Sequence, residues 1–132
     1  MFESTAQAIA ALQNTRLPEN QRTDAAHFLV ADPTPDGIAA LVTALTDGDH
    51  GVRWAAGTAL AKIGEPAMHT LLSALIAPDV DKTLRDSARH ALTDNSSSRV
   101  RELSVPLIKA MKGPEADIAT MQEALKLLAI FR

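Results

Sequence analysis

One pattern recurs along the chain and constrains it more than any other feature: a basic residue, Ala three positions on, then a small or apolar residue followed by Leu. It reads Arg22…Ala25…Phe28-Leu29, Arg53…Ala56…Ala59-Leu60 and Arg85…Ala88…Ala91-Leu92. A fourth copy, Met121…Ala124…Leu127-Leu128, keeps the apolar positions and loses the Arg. The anchors at 22, 53, 85 and 121 lie 31, 32 and 36 residues apart. Ahead of each comes a second apolar cluster: Ala8-Ile9…Leu12, Leu41-Val42…Leu45, Leu71-Leu72…Leu75 and Leu107-Ile108…Met111. Offsets of three, four and seven put each cluster on one stripe of a helix, where strict alternation would argue strand. Eight such clusters predict four helix pairs, and a period near thirty residues means stacked repeats.

The punctuation agrees. Pro18, Pro35, Pro66 and Pro114 sit where a first-turn proline belongs, its missing N–H being unpaired there anyway. Gly64 and Gly113 suit left-handed helix ends, and Ser4-Thr5-Ala6-Gln7 fits a capping box. Helices are expected over roughly 4–14, 19–31, 35–46, 50–63, 66–76, 80–94, 97–112 and 115–131. Pro106 falls inside the seventh, which should kink or restart there. The reading is one repeat domain over 1–132, with repeats at approximately 3–33, 34–64, 65–95 and 96–132, an all-α, right-handed α-α superhelix of four hairpins.

Composition sets the kind of core. Hydrophobic residues make up 46% of the chain, yet there are one Trp, three Phe and no Tyr, so the core must be aliphatic. The absence of Cys excludes a disulfide framework, a thiolate metal site and a cysteine nucleophile together. No apolar run approaches the length of a membrane span and no leader pattern opens the chain, so the expected location is cytoplasmic, without a membrane partner. Charge is uneven: residues 1–81 carry four basic and ten acidic side chains, residues 82–112 seven basic and three acidic. A solvated helix surface accounts for this as readily as an anionic partner does.

The stretch Asp47-Gly-Asp49-His-Gly-Val52-Arg53-Trp-Ala-Ala56-Gly-Thr-Ala59-Leu60-Ala-Lys-Ile63-Gly64-Glu-Pro66-Ala67 resembles the HEAT-like repeats of the phycobilisome-lyase type, short helical hairpins of about thirty residues. The third repeat keeps Asp79…Arg85…Ala88…Leu92; the first and fourth are degenerate, with Arg16 and Glu115 at the Asp position. In the second and third repeats Asp47 and Arg53, and Asp79 and Arg85, stand six residues apart across the interhelical turn, and the resemblance implies that such pairs form a ladder joining the turns of successive repeats. It also implies a bacterial or archaeal setting and, for function, an accessory subunit of a modifying enzyme. A shared fold does not carry a shared activity.

Stacked hairpins expose their second helices side by side as a concave binding surface. Aligning the repeats gives its rows: Thr23, Trp54, Asp86 and Gln122, then one turn on His27, Thr58, His90 and Lys126, with Ala26, Gly57, Arg89 and Leu125 between. These rows vary in chemistry while the core rows stay Ala and Leu, as expected when one face specifies structure and the other a partner. Trp54 stands out because Trp is enriched at interface hot spots and Gly57, one turn away, permits close approach; covering the seam between neighbouring repeats is an equal reading of it.

Other chemistries find little footing. His27 and His90 stand two repeats apart, roughly 20 Å if hairpins stack at about 10 Å, so one metal ion cannot join them. There is no phosphate loop, zincin motif or nucleophile elbow. Asp86, Arg89 and His90 share a helix, with Asp86 and His90 at i, i+4 as an acid-base cluster would need, but a solvated polar face is the preferred reading. Nucleic acid is disfavoured because only 82–112 offers a basic footprint. The last helix, with Ile118, Met121, Leu125, Leu128, Ile130 and Phe131, is apolar nearly all round and is expected to self-associate through Leu125, Leu128 and Phe131. The expectation is a noncatalytic protein-binding scaffold needing no cofactor, with a homodimer formed through the C-terminal helix.

Overall fold

A computed structural model describes residues 2–131. Among them lie nine α-helices: α1 Thr5–Gln13, α2 Glu19–Ala31, α3 Pro35–Thr43, α4 His50–Ile63, α5 Met68–Leu75, α6 Lys82–Thr93, α7 Ser98–Leu103, α8 Val105–Lys112 and α9 Ala116–Leu128. Short 3-10 turns, Ala44–Thr46 and Glu65–Ala67, end α3 and precede α5. The chain is all-helical, as the repeat pattern requires.

Local chemistry explains the boundaries. The Ser4 hydroxyl accepts from the Gln7 N–H at 3.1 Å and the Gln7 carboxamide reaches back to the Glu3 N–H at 2.9 Å, satisfying donors that the first turn leaves free. Asp49 caps α4 by accepting from the Gly51 and Val52 N–H groups, and Asp81 caps α6 through the Leu84 N–H. Gly64, at φ 79°, ends α4 in a conformation that side chains disfavour. Gly113 does not share it: it closes α8 in an extended conformation at φ −83°. The expected seventh helix divides into α7 and α8 at Ser104, because Pro106 brings no N–H and its ring crowds the carbonyl one turn back.

The anchor alanines Ala25, Ala56, Ala88 and Ala124 are all 0% exposed. A methyl is the largest group that fits where these helices approach closely, which is why the repeat holds Ala there. Leucines of both clusters surround them, and one hydrophobic cluster runs from Ala8 to Phe131.

Helices α1, α3 and α5 pack in sequence as one layer; α2, α4 and α6 form the other. The closing pair breaks the order. Helix α8 packs on α6 and α9 packs on α5, so the two helices have exchanged layers. The turn after α6 explains this. Asn95 is buried, donating to the Ala91 carbonyl and accepting from the Ser97 N–H. Ser96 bonds the Ala61 carbonyl through its N–H at 2.8 Å and the Lys62 carbonyl through its hydroxyl. Pinned to the end of α4, the chain does not cross to the first layer but turns back along α6. The expectation that the last helix extends the second-helix row is corrected accordingly.

Candidate partner-binding cleft

Asp49 starts α4 at His50, which places Arg53 and Trp54 in its first turns, facing away from the Ala55, Ala56 and Ala59 core stripe. Trp54 is 57% exposed. Its indole stacks on the His90 ring of α6 with centroids 3.9 Å apart and planes 14° from parallel. Gly57 makes this possible, since a Cβ there would lie 2.6 Å from the His90 ring carbon Cδ2.

Both His90 nitrogens are engaged. The Asp94 carboxylate lies 3.1 Å from Nδ1, one turn along α6, and the Thr58 hydroxyl lies 3.0 Å from Nε2. A carboxylate only accepts, so Nδ1 carries a proton, and in the neutral ring Nε2 accepts from the Thr58 hydroxyl. Carboxylate, imidazole and hydroxyl in line resemble a nucleophile relay, but the geometry suits positioning instead. Thr58 lies mid-helix, where the backbone N–H groups are consumed by the helix itself. The imidazole is covered by Trp54 and held as a fixed base for the indole.

Around this stack lies a cleft of about 410 Å³ between α4 and α6, walled by His50, Arg53 and Trp54 on one side and by Thr83, Asp86, Ser87, Arg89, Thr93 and Asp94 on the other. Lys82 and Asp86 pair at 2.8 Å, and Arg89 approaches the same carboxylate at 3.8 Å. The Lys82 hydrogen bond, aided by the charges of Lys82, Arg89 and Arg85, holds the Asp86 carboxyl below the usual range against the opposing effect of burial. Asp86 therefore does not serve His90; Asp94 does.

Five of the expected surface residues are thus brought together: Trp54, Thr58, Asp86, Arg89 and His90. The rest are not. Thr23 bonds the Asn20 carbonyl, and His27 borders a separate hollow with Phe2, Gln21, Asp24 and Phe28. Gln122 and Lys126 sit on α9 in the other layer, where Lys126 pairs with Glu123. Among the expected self-association residues, Leu125 is exposed and Leu128 half-buried, but Phe131 is buried beneath the Arg99 guanidinium, 4.8 Å from its ring centroid. The repeat rows do not mark His50, Arg53, Thr83, Ser87, Thr93 and Asp94 as cleft residues. The i, i+4 spacing of His90 and Asp94 was a usable signal; the placement of His50 was not legible.

The ladder exists in altered form. Arg22 of α2 clasps the Asp47 carboxylate through two nitrogens, one at 3.0 Å, while also donating to the Leu12 carbonyl. Arg85 pairs with Asp117 at 2.8 Å. Arg53 differs: it donates to the Asp47 backbone carbonyl at 2.7 Å, and no carboxylate among the described residues lies within ion-pair distance of it. Asp79 is exposed and joins no ion pair among the described residues.

Repeating hairpins with buried alanines, stacked layers and turn-to-turn Arg–Asp pairs are matched by a family profile, HEAT repeats, over residues 5–93. The chain is a HEAT-repeat protein. HEAT repeats commonly mediate protein–protein interaction. The matched segment of this HEAT-repeat protein runs from the first residue of α1 to the last of α6, up to the turn where the closing pair changes layers. No curated protein and no solved structure matches the chain significantly. Among the described residues no three His, Cys, Asp or Glu side chains gather as a metal site, and no helix is long and apolar enough to cross a membrane.

Proposed function

We propose that this HEAT-repeat protein is a noncatalytic scaffold whose protein partner seats on the second-helix layer at the Trp54–His90 cleft. One observation carries the reading: a large aromatic is held face-up by stacking on an imidazole that is itself fixed at both nitrogens. Order obtained before binding lowers the entropic cost of binding, and a rigid indole is a typical interface anchor. The finer likeness to phycobilisome-lyase repeats, with its accessory-subunit role, rests on the Asp47–Ala67 stretch and on Asp79, Arg85, Ala88 and Leu92 of the third repeat. The test is photo-crosslinking in the host cell with benzoylphenylalanine placed singly at Thr83, Thr93 and Gln13. Adducts to one defined protein from the two cleft positions, and none from Gln13 on α1, support the proposal. Adducts only from Gln13, or none, sink it.

A second reading concerns self-association. Ile118, Met121 and Leu125 of α9 are exposed at spacings of three and four, forming one apolar stripe. We propose that two copies pair through it, with Phe131 taking no part because it is already buried. Sedimentation equilibrium of wild type and Leu125→Lys tests this. A wild-type dimer that becomes monomeric in the variant supports pairing; a wild-type monomer at high concentration removes it.

A further inference from the structure

The Arg–Asp ladder has an unpaired position. Arg22 reaches forward to Asp47 and Arg85 to Asp117, each joining its hairpin to a later one. Arg53, at the equivalent place in the second repeat, has no carboxylate within 4.0 Å among the described residues, because Asp79 does not meet it. Its guanidinium is partly held by the Asp47 carbonyl and by a 3.4 Å contact to His50 Nδ1, and it borders the cleft beside Trp54. Arg89 borders the same cleft and has only a loose 3.8 Å approach to Asp86, whose nearer partner is Lys82.

We infer that the cleft takes an acidic peptide segment: a Glu or Asp side chain of the partner pairs with Arg53, and a neighbouring bulky apolar side chain lies on the open face of Trp54. The inference rests on the proposed partner-binding role of this layer. Charge complementarity selects the occupant. A guanidinium presents paired donors that match a carboxylate in bidentate fashion, as Arg22 already shows with Asp47. The Asp86 and Asp94 carboxylates on the opposite wall limit the charge that can be accommodated. A single carboxylate is favoured there, whereas a phosphodiester chain would meet both acids and lacks the broad basic footprint it needs. The indole supplies the apolar contact, and the fixed His90 prevents it from swinging away.

Selection of a phage-displayed nine-residue peptide library on the wild-type protein tests this, with binding of recovered peptides followed through Trp54 emission, the only Trp in the chain. The expected peptides carry Glu or Asp beside a bulky apolar residue. Changing that acid to its amide in the peptide should weaken binding about tenfold or more, a test that leaves the protein untouched. Arg53→Gln should weaken it similarly and Arg53→Lys less, with circular dichroism confirming intact helices. Peptides that need Trp54 but tolerate the acid-to-amide change overturn the acidic preference and leave the proposed binding face standing. Recovered peptides that bind Trp54→Ala as well as wild type, read by the anisotropy of a fluorescein-labelled peptide because this variant has no Trp emission, overturn both.

Discussion

Arg22 of the first hairpin and Asp47 of the second form a bidentate ion pair with side chains only 5% and 13% exposed. This buried link, between residues 25 apart in sequence, ties the first interhelical turn to the next. Removing Arg22 leaves the Asp47 carboxylate only its Asp49 N–H donor and strips the Leu12 carbonyl of both its Arg22 donors. Arg22→Ala is therefore expected to cost about 3–5 kcal/mol, the range for breaking a buried pair by deleting one partner. Arg53→Ala, which loses one bond to a carbonyl, should cost only about 1 kcal/mol. Urea denaturation of both variants measures the contrast.

The same pair is acid-sensitive. Burial pushes the Asp47 carboxyl up, but the Arg22 hydrogen bond, the Asp49 N–H and the charges of Arg22 and Arg53 outweigh it and hold it below the ordinary 3.8. A depressed folded pKa means that the contribution is fully present above the unfolded value and is lost as pH falls through the folded one. Below pH 3.8 the stability gap between wild type and Arg22→Ala should narrow.

Gly57→Ala sets helix propensity against packing. The substitution gains up to about 1 kcal/mol as a helix former. It also places a methyl 2.6 Å from the His90 ring, with the Ser87 carbonyl 3.4 Å away on another side. His90 must leave both the Trp54 stack and the Thr58 hydrogen bond, losses of about 0.5–1.5 kcal/mol each. The net expectation is a destabilisation of about 1 kcal/mol on those figures, with Trp54 emission shifted. Unchanged emission would show that the stack survives.

Glu19 and Asp49 repel each other across Gly51, where the Glu19 carboxylate occupies the space of a side chain. The hydrogen bond to Asp49 and its charge, with slight burial, raise the Glu19 pKa; the charge of His50 opposes them. For Glu19 the native state holds its proton longer, so its own contribution falls as pH rises through the raised value; Asp49, where burial is outweighed by the Glu19 hydrogen bond and the Val52 and Gly51 N–H groups, is lowered and contributes in the opposite sense. Glu19→Gln keeps a donor for Asp49 and removes the charge. Its melting temperature should exceed that of wild type at pH 7, and the two should converge as pH drops below 4.5.

Phe131 and Leu125 separate anchoring from display. Phe131, 6% exposed under Arg99, should cost about 3 kcal/mol or more when changed to Ala. Leu125, 50% exposed, should cost the monomer less than about 0.5 kcal/mol. Equal losses in thermal melts would contradict the separation.

Much of this molecule is written in its repeat. Ala25, Ala56, Ala88 and Ala124 align in sequence and all lie in the core, because close helix approach leaves one acceptable size. Thr58 and His90 occupy the same repeat position and meet as neighbours across one repeat. What escaped the pattern depends on unique contacts. The layer exchange of α8 and α9 follows from Asn95 and Ser96 gripping the end of α4, and no periodicity encodes that. Arg53 carries the repeat's own signature, so its lack of a carboxylate partner appears only once Asp79 is seen to face solvent.

In a simple solenoid each hairpin touches its immediate neighbours, and ends fray one unit at a time. Here α9 lies on α5 across an intervening stretch of forty residues, 76–115, like a clasp closed over the third hairpin. Opening the last pair uncovers α5, so the third and fourth hairpins should exchange their amide hydrogens as one cooperative block.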